Sequence, residues 1–162
     1  MNRLFFAAAV LLTLSIFSCA SVSGPQVRSA GTSIRSDAPS IEDEVLVLVN
    51  QYRKSIGLGA LKTNNAVVEE SRRHSYNMAH HIVPFSHEGF NTRSKTLASK
   101  IPGMRSVAEN VAYGQASARE VVGDWLKSPG HKMNIEGNYT QTGIGIVADK
   151  KGVLYYTQMF VR

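Results

Sequence analysis

Three short stretches carry side chains that could do chemistry: Phe85-Ser86-His87, Ala108-Glu109-Asn110, and Trp125–Ile135, which reads WLKSPGHKMNI and contains His131. Two imidazoles and a carboxylate can hold a divalent cation through neutral ring nitrogens, or pass a proton to and from a substrate. The spacing has no local ligand signature: there is no His-Glu-x-x-His, and the chain has one cysteine. A serine nucleophile has little support. No Gly-x-Ser-x-Gly elbow exists, and Ser86 abuts His87, where neighbouring side chains diverge; Ser128 lies three before His131. A structural reading stands beside the chemical one. In it Glu109 accepts hydrogen bonds from loop amides, and His87 and His131 are polar plugs in a half-buried cleft. Either reading requires the three stretches to converge on one hollow.

Helices and strands must bring them there. Ser117-Ala118-Arg119-Glu120 has the form of a capping box. Val121, Val122, Trp125 and Leu126 give the ensuing helix an apolar face, with Trp125 as core anchor. Pro129 cannot continue the amide ladder and Gly130 permits an abrupt turn, so the helix is expected to stop just before His131. An earlier helix starts at Ser40-Ile41-Glu42-Asp43 and carries Val45, Leu48, Val49, Tyr52 and Ile56 on one face. Asn50 and Arg53 on it are packing residues, or buttresses of the cleft or last strand. A second helix is expected over about Asn65 to His80, with Val67, Ser71, His74 and Met78 in one stripe and Glu69, Glu70, Arg72 and Arg73 mostly off it. His74 then sits at the core edge, and His80 and His81 cap the end. Residues 88–105 are polar, with Gly89, Pro102 and Gly103, and read as a long loop holding no more than one helical turn. Ser106–Tyr113 reads as a short strand or an extended turn. Thr142–Ala148 and Val153–Val161 read as strands joined by a hairpin at Asp149-Lys150-Lys151-Gly152, with Tyr155, Tyr156 and Phe160 divided between the two faces.

Composition bounds the function. A chain of 162 residues with 43% apolar and 19% charged residues has room for one globular domain plus extensions. The net charge is +6, but no basic run exceeds two residues and aromatics are not interleaved with them. That argues against specific nucleic-acid recognition and for weak attraction to anionic envelope polymers or lipid head groups. Residues 1–18 read as an export signal: Met1-Asn2-Arg3 gives the positive start, and the apolar run Leu4 to Phe17 is short of the ~20 residues a membrane span needs. Ile16-Phe17-Ser18-Cys19 resembles a bacterial lipobox, in which Cys19 is acylated and tethers the protein to a membrane; the alternative is cleavage after Ala20 and secretion. Residues 19–39, rich in Ser, Gly, Pro and Ala, read as a flexible tether, and 40–162 as the domain. The single cysteine precludes an intrachain disulfide.

Taken in order, the segments resemble the CAP superfamily, also called SCP/TAPS or PR-1-like, in its small bacterial form. They are Leu48–Arg53, Ser71–Ala79 ending in Asn77-Met78-Ala79, Phe85-Ser86-His87, Ala108-Glu109-Asn110, Trp125–Ile135, Thr142–Gly145 and Tyr156–Phe160, within about residues 41–162. The resemblance implies an α+β fold, an α-β-α sandwich with a small, mainly antiparallel sheet between helices. It also implies a cleft with two histidines and acidic residues, where His87, Glu109 and His131 match three of four expected groups. The fourth, in many relatives a glutamate three residues past the helix tryptophan, is Ser128 here, and Asp124 precedes the tryptophan and is expected to face elsewhere. The cleft carries the candidate metal ligands His87, His131 and Glu109, for Zn2+ or another divalent cation, with Glu109 as ligand or as orienter of a ligand. The expected function is an exported, envelope-anchored binding or interaction module, with a lipid or envelope polymer as ligand. The alternative is a metal-assisted hydrolase of peptide or cell-wall material, with the same three residues as catalytic candidates.

Overall fold

The computed structural model describes residues 39–162. The export signal, Cys19 and most of the tether lie outside the described residues. The domain begins where the hydroxyl of Ser40 caps α1 (Ile41–Ser55): Ser40 Oγ accepts from Asp43 N–H, and the Asp43 carboxylate accepts from Ser40 N–H. This reciprocal box satisfies two otherwise orphaned donors at the helix start. Val45 and Val49 are the buried part of the expected face, whereas Ile56 lies past the helix end and is exposed.

A two-residue strand, β1 (Lys62–Thr63), leads into α2 (Asn65–Ala79), whose first amides are capped by Asn64 Oδ1. The stripe Val67, Ser71, His74 and Met78 is buried as expected, but Glu70 is buried too, paired with Arg73 and with Lys100 at 3.6 Å. The stretch expected to be a long loop contains α3 (Phe90–Lys100). Polar composition hid it. Its inward stripe has one fully buried apolar residue, Leu97, and a buried arginine, Arg93, in place of a second. A charged residue holds that position because its partner is also buried.

β2 (Val107–Tyr113) is a full strand, followed by α4 (Ala118–Lys127) and α5 (Pro129–Glu136). The Ser128-Pro129-Gly130 stop ends α4, but it also starts α5. Ser128 is the C-cap of one helix and the N-cap of the next, with Pro129 in the first turn, where its missing N–H costs no bond. His131 therefore lies in a helical first turn and not in irregular chain. β3 (Gln141–Ala148) and β4 (Leu154–Val161) form the expected hairpin, closed by Asp149 Oδ1 accepting from the amides of Lys151 and Val153 and by Gly152 at φ +82°.

The sheet order is β1-β3-β4-β2, with antiparallel β3–β4 and β4–β2 pairs and a short parallel β1–β3 pair. Strand alternation divides the core in two. Ala108, Ala112, Tyr156 and Phe160 pack with Val45, Val49, Val121, Trp125 and Ile135 of α1, α4 and α5. Val111, Tyr155, Met159 and Val161 pack on the other side with Val67, Met78 and Leu97 of α2 and α3. This is the α-β-α sandwich. α2 lies on β3 with almost no separation: Ser71 Oγ donates to Gly143 O at 3.0 Å and Ser75 Oγ to Gly145 O at 2.8 Å. No helix of the described residues is long and apolar enough to cross a membrane.

Candidate functional site

β2 is an edge strand, so its free side is where groups from the two faces of the sheet can meet. Glu109 points toward the α2–α3 face and is buried. Arg93 on α3 grips it with a two-bond fork, Nε to Oε2 at 2.7 Å and Nη2 to Oε1 at 2.7 Å. His87 Nδ1 reaches Oε1 at 2.9 Å. Burial alone would raise the Glu109 carboxyl; the hydrogen bonds from His87 and Arg93 outweigh it and hold the group below the ordinary carboxylate value. The carboxylate is therefore ionised and only accepts, so His87 Nδ1 carries the proton and donates. In the neutral ring the lone pair is then on Nε2. Glu109 is inaccessible while the His87 side chain is 53% exposed, so a buried acid orients a solvent-facing base.

The connection bearing His87 is fixed from α2. His74 is buried, its Nε2–H donates to Ser86 O at 2.9 Å, and Nε2 lies 4.0 Å from Glu109 Oε1. Burial first, and the Arg93 charge second, push its pKa down, so the ring is held neutral. Arg93 Nη1 donates to Glu88 O at 2.8 Å, one residue beyond His87. His74 and Arg93 thus hold the chain on both sides of His87. Neither was assigned this role from sequence. The available signal was an arginine and a histidine on helix stripes where an apolar residue is ordinary, and reading 88–105 as loop concealed it for Arg93.

His131 comes from the other face. Two asparagines tie its helix to the edge strand. Asn110 Nδ2 donates to His131 O at 3.1 Å, and Asn134 Nδ2 donates to Asn110 Oδ1 at 2.8 Å and to Glu109 O at 3.0 Å. Trp125 Nε1–H donates to Val111 O at 3.4 Å. Helices α4 and α5 thus engage carbonyls of the edge strand that another chain could otherwise pair with. The His131 pKa is lowered by burial and then by the charge of His87. The charge of His87 therefore reaches His131 around the strand edge. Their hollows follow one another along β2. One is lined by His87, Phe90, Glu109, Asn134 and Tyr139, the other by Phe85, Trp125, Ser128 and His131.

The geometry assigns Glu109 as orienter of His87, because both carboxylate oxygens are already engaged by Arg93 and His87. Among the described residues no group of three or more His, Cys, Asp and Glu is placed to hold a metal ion. A three-ligand set that includes Glu109 does not fit, and His87 and His131 line adjacent hollows and not the single one expected. Ser86 Oγ closes a local turn, accepting from Glu88 N–H at 3.1 Å, and no serine hydroxyl is hydrogen-bonded to His87 or His131 among the described residues. Asp124, expected to face elsewhere, lines the hollow of His131. Arg53 and Asn50 buttress other joints. Arg53 donates to the carbonyls of Gly59, Ile135, Gly137 and Tyr139, and Asn50 exchanges two bonds with the backbone of Leu61.

Comparison with known proteins agrees with this architecture. The uncharacterized protein YkwD of Bacillus subtilis (strain 168) is 31% identical over 138 residues, which is 80% of this chain and 50% of that protein. The chain therefore spans about half the length of this curated relative. A solved extracellular protein containing an SCP domain from Bacillus anthracis superposes with a TM-score of 0.62 at 25% identity, over 75% of this chain and 40% of that one. An outer surface protein of Borrelia burgdorferi shares the fold at 16% identity with a TM-score of 0.66, covering 76% of this chain and 96% of its own. Residues 46–160 match the cysteine-rich secretory protein family, CAP, and with this fold around them the chain belongs to that family.

Proposed function

We propose that the chain is an exported binding module whose cleft takes a divalent cation between His87 and His131, with Glu109 orienting the first ring. The observation that carries the reading is the 2.9 Å bond from His87 Nδ1 to a buried carboxylate. It fixes the tautomer and leaves Nε2 as the free ligand atom, and at His131 burial first and the charge of His87 second favour the neutral imidazole, the form a metal needs. Export is supported by the apolar amino-terminal run and by relatives described as extracellular or outer surface proteins. The lipobox-like Ile16-Phe17-Ser18-Cys19 supports a lipid anchor at Cys19. Mass spectrometry of membrane-extracted protein would show acylated Cys19, and an unmodified start at Ser21 would rule the anchor out.

Calorimetry with zinc tests the cleft. Saturable heat is expected with the wild type and loss of it with His87→Ala and with His131→Ala. Glu109→Gln is expected to weaken binding by about 10–100-fold, the usual effect of removing a ligand's orienting partner. No heat with the wild type would remove the metal reading. The same His87–Glu109 pair favours the hydrolase alternative to one specific extent, since an oriented imidazole can act as general base on water. Turnover of a peptide or peptidoglycan library, abolished by Glu109→Gln, would support it.

A further inference from the structure

We infer that the hollow beside His131 is a subsite for an organic cation bearing N–H donors, the protonated end of a lysine or arginine side chain. Its wall holds two large aromatic rings exposed to solvent, Phe85 at 44% and Tyr113 at 51%. The rings are 4.6 Å apart at 56°, and Tyr113 is backed by Tyr155 at 5.5 Å. Aromatic faces attract cations through their quadrupole. The lining contains one carboxylate, Asp124, and no lysine or arginine, on a chain of net charge +6. Asp124 has an exposed partner in Lys127 at 3.7 Å, a pair of the kind that contributes little and yields readily.

Gln115 braces the carboxylate. Its Nε2–H donates to Asp124 Oδ2 at 3.1 Å, which fixes the amide, since the flipped form would set oxygen against carboxylate. A neutral aliphatic group answers neither the rings' quadrupole nor Asp124. A quaternary ammonium answers the rings and the charge of Asp124 but donates it no hydrogen bond. Ammonium and guanidinium ends stack on the rings and donate charge-assisted hydrogen bonds to the carboxylate. The volume, about 290 Å³, suits the end of one side chain and not a whole lipid.

The chain's only tryptophan, Trp125, lines the hollow and reports on it. Titrating the full chain with Nα-acetyl-lysine amide or Nα-acetyl-arginine amide is expected to change its fluorescence saturably, the better of the two identifying the side chain. Nα-acetyl-norleucine amide and choline are expected to bind at least ten-fold more weakly. Asp124→Asn is expected to weaken the lysine or arginine probe at least ten-fold, and Phe85→Leu and Tyr113→Leu several-fold. His87→Ala, at a residue that does not line the hollow, is expected to retain binding of the probe. Equal binding of norleucine or choline, an unaffected Asp124→Asn, loss in His87→Ala, or no saturable change would each overturn the assignment.

Discussion

At the scale of single residues, the site depends on one buried carboxylate. Glu109 has both oxygens occupied, and its strongest partner, Arg93, is itself buried. Removing either side leaves an uncompensated charge away from water. Arg93→Ala is therefore expected to destabilise the domain by about 3–5 kcal/mol, read from urea unfolding. Arg93→Lys should recover only part of this, because an ammonium cannot make the two-bond fork or also reach Glu88 O. A full recovery by lysine would mean that charge alone, not the geometry of the fork, holds Glu109. His74 acts at the same scale through Ser86 O. His74→Gln retains a donor and is expected to preserve zinc binding, whereas His74→Ala is expected to weaken it.

At the scale of elements, two joints place the cleft. The first is the asparagine clamp between β2 and α5. Asn134→Ala deletes two hydrogen bonds and leaves Asn110 Oδ1 without its donor. A loss of about 1–3 kcal/mol follows from the unsatisfied buried acceptor. Fluorescence of Trp125, which lies 6.4 Å from the His131 ring, should shift if α5 moves. The second joint is the contact of α2 with β3. A Cβ at Gly143 would overlap the backbone of Val67 and Val68, and one at Gly145 the backbone of Ser71 and Arg72. Neither neighbour can rotate away, because both are helix main chain. Gly145→Ala is expected to destabilise by about 1–3 kcal/mol or more, and to break the Ser75 Oγ bond to Gly145 O. A stability unchanged from wild type would contradict this packing.

At the scale of the whole molecule, the buried titratable groups predict how stability depends on pH. His74 and His131 both lie below the ordinary value of 6.5, each chiefly through burial. Between that value and the lower native ones, the unfolded chain binds more protons than the native chain. Stability is thus complete above 6.5 and falls as pH drops through the native values. Glu109 adds a second stage. Its native value is below the ordinary 4.5, so its contribution is present above 4.5 and is lost on further acidification. Urea midpoints from about pH 8 to about pH 2 should decline in both stages, with His74→Gln flattening the first. A midpoint rising on acidification through 6.5 would contradict neutral native histidines.

By itself the sequence determined the starts of α1, α2 and α4, the β3–β4 hairpin, the burial of Trp125, the stripe of α2 and the family. These are local patterns: a capping serine, an alternation, a repeat of three and four. His87, Glu109 and His131 were legible as candidates because ordered motifs surround them. Only the tertiary structure decided what those three do to one another. Glu109 could be read as a ligand until Arg93 was found across from it, and Arg93 sat in a stretch too polar to be recognised as helix. A buried ion pair satisfies a helix face as an apolar residue would, but each half resembles a surface charge when read alone. Likewise nothing local places His131 around the edge of β2 from His87. That relation arises because β2 is the last strand of the sheet, and strand order is a property of the assembled fold.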